Sequence, residues 1–330
     1  MSNQDMKNKT SVRALTEGAL MAALAALLGI IGIYIPVLGM ITALVWTVPI
    51  ILLIMRHNMK IGLMGLAVTG LLIAILAGPV QSILFLVNMG GMALIYGYCF
   101  KNMLSPLKAL LFGTLTAAVS TVTAIALSAF VANLPLTHMI TDMKMAINEG
   151  FKVYESMGIM ENILPEGVSA EQYKEQIFTM FETLLPGALV GASMGLALIN
   201  YLIVRQFLKR LKYTVPEMPL FRDWHLPWQI VWGVILGLTM FLVGRYLEHN
   251  IFILIGQNIL YIYYPILLVS GISFMVFLWK NNILTGFMRV MVVMAAFLFS
   301  TIFFFALIMI GLFDPLFDYR RFFREKETVK

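Results

Sequence analysis

The stretch Arg13-Ala-Leu-Thr-Glu-Gly-Ala-Leu-Met-Ala-Ala-Leu-Ala-Ala-Leu-Leu-Gly-Ile-Ile-Gly-Ile-Tyr-Ile-Pro36 decides the fold. After Glu17, which lies about a turn inside it, the run carries no charge, and as a helix it is long enough to cross the ~30 Å hydrocarbon core of a bilayer. Small residues recur in it at helical spacing: Ala19 with Ala23, Ala22 with Ala26, Ala25 with Gly29. Residues four apart share a helix face. In lipid, burial of apolar surface gives helices no drive to pair, so a face that lets two backbones approach marks a contact. This first helix therefore presents a face for a second helix, either in the same chain or in another.

Working outward, the rest of the chain has the same character. Of its 330 residues, 60% are apolar and 12% charged, with a mean hydropathy of +0.89; soluble domains run near half apolar and a quarter charged. This composition excludes a soluble fold, whose surface it cannot supply, and indicates an all-α, polytopic membrane helix bundle. The formal charge of +6 gathers at the ends of apolar runs and forms no stripe on a soluble domain, so it reads as membrane topology and not as nucleic-acid binding. Cys99 is the single cysteine, which excludes an intrachain disulfide and any CxxC metal or redox motif. Because Ser2 to Lys9 is polar and the first apolar run is a full span, that run is expected to be an uncleaved anchor; no lipidation box is visible.

Candidate spans, runs of about 18 or more mostly uncharged residues, fall at 14–35, 37–55, 61–77, 82–99, 107–131, 185–207, 228–247, 254–279 and 285–312. Lys7, Lys9 and Arg13 precede the first; Arg56 and Lys60 join two to three; Lys101 and Lys108 join four to five; Arg205, Lys209, Arg210, Lys212 and Arg222 follow six. The positive-inside rule then places the N-terminus and each of these connections in the cytoplasm. A ninth span puts Arg320, Arg321, Arg324 and Lys326 outside, against that rule. Nine is the reading adopted. Eight is the alternative, reached if the run from Asn250 to Trp279, interrupted by Gln257, Asn258 and Pro265, begins as an interfacial or re-entrant helix. The resulting parts are a cytoplasmic tail 1–12, a six-span bundle 13–207, a cytoplasmic connection 208–227, membrane helices 228–312 and a polar tail 313–330.

Within the first bundle lies an insertion, 132–184, whose acidic balance fits an external position. Two amphipathic helices are legible in it: Ile140, Met143, Ile147, Phe151 and Tyr154 recur on one face after Pro135 and Thr137, and Ala170, Tyr173, Ile177, Phe181 and Leu184 on another after Ser169. Ser169 and Gln172 form a capping box. The pair reads as a lid across the outer mouth of the bundle or as an inert cap on the headgroups. In the 208–227 connection, basic residues alternate with Tyr213, Phe221 and Trp224, a mixture typical of headgroup level.

Span six carries Gly187, Gly191 and Gly195 at spacing four, a second close-packing face. Gly191-Ala-Ser-Met-Gly195 also matches G-x-S-x-G, but that elbow needs a strand-to-helix turn and a histidine, and His57, His138, His225 and His249 all lie at or beyond membrane ends. No catalytic residue is assigned and no enzymatic role is expected; no metal site or cofactor is read either. None of the first six spans has a charge at its centre, which argues against proton-driven transport. Uncharged polar residues are plentiful in spans four to six. Gln81, Asn88, Ser120, Thr121 and Asn200 are the candidate ligand-binding set for a neutral or weakly polar solute, the alternative being that they tie helices together. No GxxxxGK[ST] is present, so ATP hydrolysis would have to come from a partner.

The opening stretch, the proline-closed end at Ile35-Pro36, a second span containing Pro49 and ending in a basic turn, and Gly62, Gly65 and Gly70 in the third resemble the substrate-binding S components of energy-coupling factor (ECF) transporters over residues 10–207. That resemblance implies a six-helix S-component-like half with about three further helices appended. It also implies that Ala19, Ala22, Ala23 and Ala26 dock a coupling subunit served by partner ATPases. Over its whole length, including the ending Gly311-Leu-Phe-Asp-Pro-Leu-Phe-Asp-Tyr-Arg-Arg321, the chain is similar to the YybS-like family of uncharacterised bacterial membrane proteins. The location implied is a bacterial plasma membrane, multi-pass and in contact with lipid. Two functional readings follow: a solute-binding protein of transport type, or a non-transporting membrane scaffold or assembly factor with the same fold.

Overall fold

The computed structural model describes residues 3–133, 137–165 and 167–322. Pro135, Glu166, Arg324 and Lys326 lie outside them. Among the described residues every regular element is helical. In chain order these are α1 (Asn3–Tyr34), α2 (Pro36–Val45), α3 (Thr47–Arg56), α4 (Met59–Ala77), α5 (Pro79–Phe85), a π-turn (Leu86–Gly90), α6 (Gly91–Lys101), α7 (Pro106–Val131), α8 (Thr137–Ser156), α9 (Met160–Ile163), α10 (Ala170–Arg210), a 3-10 turn (Phe221–Asp223), α11 (Ile230–Tyr246), α12 (Asn250–Lys280), α13 (Gly286–Leu298) and α14 (Ser300–Phe317). They fall into two compact units: Met1–Lys174 with Ala192–Glu217, and Glu175–Gly191 with Met218–Lys330.

In the first unit the small face of α1 is taken up by the chain's own helices. Ala22, Ala25, Ala26 and Gly29 are buried. The indole N–H of Trp46 donates to the Ala25 carbonyl at 2.8 Å, and the Thr69 hydroxyl donates to the Ala22 carbonyl at 3.2 Å. Such reach onto a helix backbone requires that no large side chain stand in the way, which is what alanine provides. Around this seam Ala25, Trp46, Ile50, Ile54, Leu66 and Ala93 form one buried cluster. The face expected to dock a partner is therefore divided: Ala22 and Ala26 point inward to α3 and α4, while Ala19 and Ala23 remain exposed. Span two is interrupted at Trp46, between α2 and α3, because Pro49 has no N–H for the Val45 carbonyl.

The insertion does not end where its amphipathic pattern suggests. Its second helix continues into span six as the 41-residue α10, about 60 Å long at ~1.5 Å per residue and twice the thickness of the hydrocarbon core. Ser169 caps it through the capping box, its hydroxyl accepting from the Gln172 N–H at 3.2 Å. Pro186 lies inside it and would be expected to break it. Within the second unit, Asn258 of α12 repairs the break. Its Oδ1 accepts from the Gly187 N–H at 2.6 Å, and its Nδ2 donates to the Thr183 carbonyl at 2.7 Å. Those two backbone groups would otherwise pair with each other in an unbroken helix.

The rest of the second unit also departs from the spans drawn from hydropathy. The run expected to be weakest is the 31-residue α12, continuous through Pro265, whereas 285–312 is broken at Phe299 (φ −125°, ψ 46°) into α13 and α14. α14 reaches Phe317, so the tail does not begin at 313. Among the described residues eight helices are long and apolar enough to span, with Ile230–Tyr246 and Gly286–Leu298 shorter. The closest approaches of one helix backbone to another also lie here. A Cβ on Gly271 would stand 2.0 Å from the Leu307 carbonyl oxygen, one on Gly311 2.0 Å from that of Leu267, and one on Gly256 2.4 Å from the Phe241 nitrogen. In span six only Gly187 meets a neighbour; a Cβ on Gly191 or Gly195 would meet nothing within 4 Å, so the expected close-packing face is limited to its first glycine.

Gly271→Ala is expected to destabilise the protein by about 1–3 kcal/mol through overpacking, even though alanine is the better helix former. Gly191→Ala is expected to be neutral or slightly stabilising. Thermal unfolding of both variants in detergent tests the ranking.

Candidate functional site

The five candidate ligand residues do not share one environment. Asn200, on α10, is fully buried and satisfied: its Oδ1 accepts from the Thr47 hydroxyl at 3.0 Å and its Nδ2 donates to the Leu44 carbonyl at 3.0 Å. It ties α10 to the α2–α3 region, the structural alternative. Nearby, Tyr96 donates to the Ala197 carbonyl at 2.7 Å, and Phe100 stacks on Tyr201 with centroids 5.0 Å apart, so the space around Asn200 is filled. Gln81 is exposed near the start of α5.

Asn88 is different. Gly78, at φ +98°, turns the chain out of α4, and Pro79 with its preset φ starts α5. The Ser82 hydroxyl donates to the Gly70 carbonyl at 2.6 Å and holds α5 against α4. The helix then widens into the π-turn Leu86–Gly90, with Asn88 at its middle. Single π-turns are rare and favour functional sites, because the extra residue re-aims the side chains around it. Close packing fixes this turn on both sides. A Cβ on Gly70 would stand 2.4 Å from Leu86 Cδ1, and a Cβ on Gly91 would stand 3.0 Å from Thr116 Cγ2 and 3.2 Å from Ser120 Oγ.

The π-turn and α6 thus pack on the hydroxyl-bearing face of α7, with Ser120 buried and Asn88 and Thr121 half-buried. Helical Ser and Thr commonly bond back to their own backbone. Thr123 does so, donating to the Val119 carbonyl at 2.8 Å. Asn88, Ser120 and Thr121 make no side-chain hydrogen bond among the described residues. An amide offers two donors and two acceptor lone pairs. At membrane depth, leaving them unsatisfied is costly. These are uncharged polar groups on packed elements of the first unit that keep hydrogen-bonding capacity among the described residues.

A second polar cluster, in the other unit, was not foreseen in the sequence. Arg320 and Asp314 are both buried and pair at 2.8 Å. The guanidinium also donates to the Ser273 hydroxyl at 3.2 Å and, through Nη1, to the Arg222 carbonyl at 2.5 Å, and it lies over the rings of Phe274 and Phe277. Ser273 in turn shares its one hydroxyl proton between the carbonyls of Phe221 and Trp224, which stand 2.6 and 2.7 Å away. The available signal was Asp314 in the last turn of an apolar run with an arginine six residues on. An ion pair that closes through a turn in the chain has no helical spacing to announce it. Asp318, left-handed at φ 47°, makes that turn.

The family model for predicted membrane proteins DUF2232 matches residues 23–315. The chain belongs to this family. It is also 27% identical over 228 residues to the uncharacterized protein YybS of Bacillus subtilis (strain 168), covering 66% of this chain and 69% of that protein. No solved structure matches. Like its family, this DUF2232 chain is a membrane protein with several spanning helices, and its exposed apolar faces contact lipid. The family match takes in both Asn88 and Asp314 and stops short of Arg320.

Arg320→Ala is expected to destabilise the protein by about 3–5 kcal/mol, because it leaves a buried carboxylate without its counter-charge. The double variant Arg320→Ala/Asp314→Ala should recover part of that loss. Additive losses in thermal unfolding would show that the two residues do not act as a pair.

Proposed function

We propose that this protein is a solute-binding membrane protein of transport type, similar to an ECF S component and without an ATPase of its own. The observation that carries the reading is the Asn88 amide: half-buried in a π-turn that packs on α7, the helix of Ser120 and Thr121, and without a side-chain hydrogen bond among the described residues. Donors and acceptors of both kinds suit a small neutral or weakly polar solute. Of the face that resembles an S-component docking surface, Ala19 and Ala23 are the exposed pair, so they are the residues assigned to an ECF coupling subunit with its ATPases. The setting proposed is a bacterial plasma membrane with the N-terminus in the cytoplasm. Binding at this site involves no bond-making step and assigns no enzymatic role.

The second reading, a non-transporting scaffold or assembly factor, is favoured by Asn200 and Asn258, whose amide oxygens and nitrogens both bond across to other parts of the bundle. The two readings separate on ligand retention. Protein purified from its native membrane is expected to carry a small polar metabolite detectable by mass spectrometry after denaturation. Asn88→Leu should reduce its occupancy by about tenfold or more, the effect of losing one or two buried hydrogen bonds. Metabolite-free protein, or equal retention in the Asn88→Leu variant, would overturn the assignment of this site. Co-purification of a coupling subunit, lost on Ala19→Leu plus Ala23→Leu, tests the transport partner separately.

A further inference from the structure

A cavity of about 640 Å³ opens in the first unit, lined by Arg13, Glu17, Met55, Arg56, His57 and Tyr213. Three pieces of chain end at this level: the start of the span in α1, the last turn of α3, and the segment just after α10. Glu17 is shared among them. Its Oε1 accepts from Arg13 Nε at 3.0 Å, and its Oε2 faces His57 Nε2 at 3.0 Å and Arg56 Nη1 at 3.6 Å. Arg56 Nε donates to the Tyr213 hydroxyl at 3.1 Å. Beside the cavity, Lys101 donates to the carbonyls of Ile54, at 2.8 Å, and His57, closing the end of α3 with a third cation.

One carboxylate thus faces two permanent cations, with Lys101 close by at the end of α3, and the charge does not balance. Nor are the hydrogen-bond donors used up. A guanidinium has five N–H groups. Among the described residues, the pairings above leave both Nη groups of Arg13 and one of Arg56 without a partner, and the Tyr213 hydroxyl, which accepts from Arg56, keeps its own proton to give. Forked guanidinium donors beside a hydroxyl match the oxygens of a phosphate, which a lone ammonium does less well. Lys209, Arg210 and Lys212 precede Tyr213 directly and add to the positive field at the mouth. Basic recesses where spanning helices end are suited to phosphate-bearing headgroups.

We propose that this cavity binds a phosphate group, held by Arg13, Arg56 and Tyr213, with Glu17 holding the two arginines in place and limiting the affinity by its own negative charge. The phosphate comes either from an anionic phospholipid headgroup or from a soluble phosphate, and the test distinguishes them. The full-length chain is placed in nanodiscs of phosphatidylcholine with or without phosphatidylglycerol, and bound lipid is read by native mass spectrometry. Inorganic phosphate is titrated in the phosphatidylcholine discs with phosphorus NMR as the readout. Enrichment of phosphatidylglycerol that inorganic phosphate does not displace supports a lipid site; binding of inorganic phosphate that displaces the lipid supports a soluble ligand.

In either case Arg13→Gln and Arg56→Gln should each weaken binding by about fivefold, the usual effect of one basic residue at such a surface. Glu17→Gln should strengthen it by a similar factor, a gain that loss of folding cannot imitate. The Arg13 side chain is 80% exposed, so Arg13→Gln tests the site even if Arg56→Gln fails to fold. No preference for phosphatidylglycerol together with no phosphate binding, or weaker binding in Glu17→Gln, overturns the proposal.

Discussion

The hydrocarbon core offers no water to a freed backbone group, and this constraint orders the polar residues of the protein. Pro186 removes an N–H from the middle of α10 and disturbs the turn before it. The amide of Asn258 presents an acceptor to the Gly187 N–H and a donor to the Thr183 carbonyl, so α10 continues for 41 residues. Gly187 is part of the same device, since a Cβ there would stand 2.8 Å from Asn258 Oδ1. Without that amide the second unit would lose the contact that gathers Glu175–Gly191 onto α12.

The same constraint gives meaning to the contrast among the asparagines. Asn200 and Asn258 are satisfied by backbone and hydroxyl partners, and each is explained by the helices it joins. Asn88 is not. A protein selected only to pack would gain by replacing that amide with leucine, because burying an amide half-way without partners is unfavourable. The π-turn sharpens the point, since an irregular helix segment at membrane depth is tolerated where it is enclosed by protein or lines a cavity. Gly70 and Gly91 supply the enclosure by letting α4 and α7 close in on either side.

The helices were legible in the sequence because apolar length is a one-dimensional signal. All six spans of the first half have helices at the places hydropathy gives them, and the Ser169–Gln172 capping box forms as its spacing implies. What hydropathy does not contain is which polar atom meets which. Asn258 reads as an interruption of α12 and makes two hydrogen bonds from it to α10. The glycines are recognised by spacing in α1 and α10, yet the closest approaches of backbone to backbone fall at Gly256, Gly271 and Gly311, where single glycines meet across a helix crossing and no i,i+4 pattern announces them. The candidate site was half visible: Asn88 and Ser120 were chosen for their polarity, while the π-turn that sets them apart from Asn200 depends on packing between α4 and α7.

The buried Arg320 bears on the parity of the spans. Its guanidinium bonds to the Arg222 carbonyl, in the connection between α10 and α11, and to Ser273, which itself holds the carbonyls of Phe221 and Trp224. The chain therefore returns, after α14, to the side from which it entered α11. Three crossings after the connection would leave Arg320 on the opposite face, so the nine-span reading fails and an even number of crossings remains. The conflict between a ninth span and the basic tail disappears with it, because Arg222, Arg320 and Arg321 then share one side, as the positive-inside rule requires. The miscount lies in the run 285–312, which hydropathy reads as one span and the backbone at Phe299 divides into two helices. The tail arginine needs the loop carbonyls as acceptors, and the loop needs Ser273 on α12, so the end of the chain fixes the connection at which the second unit begins.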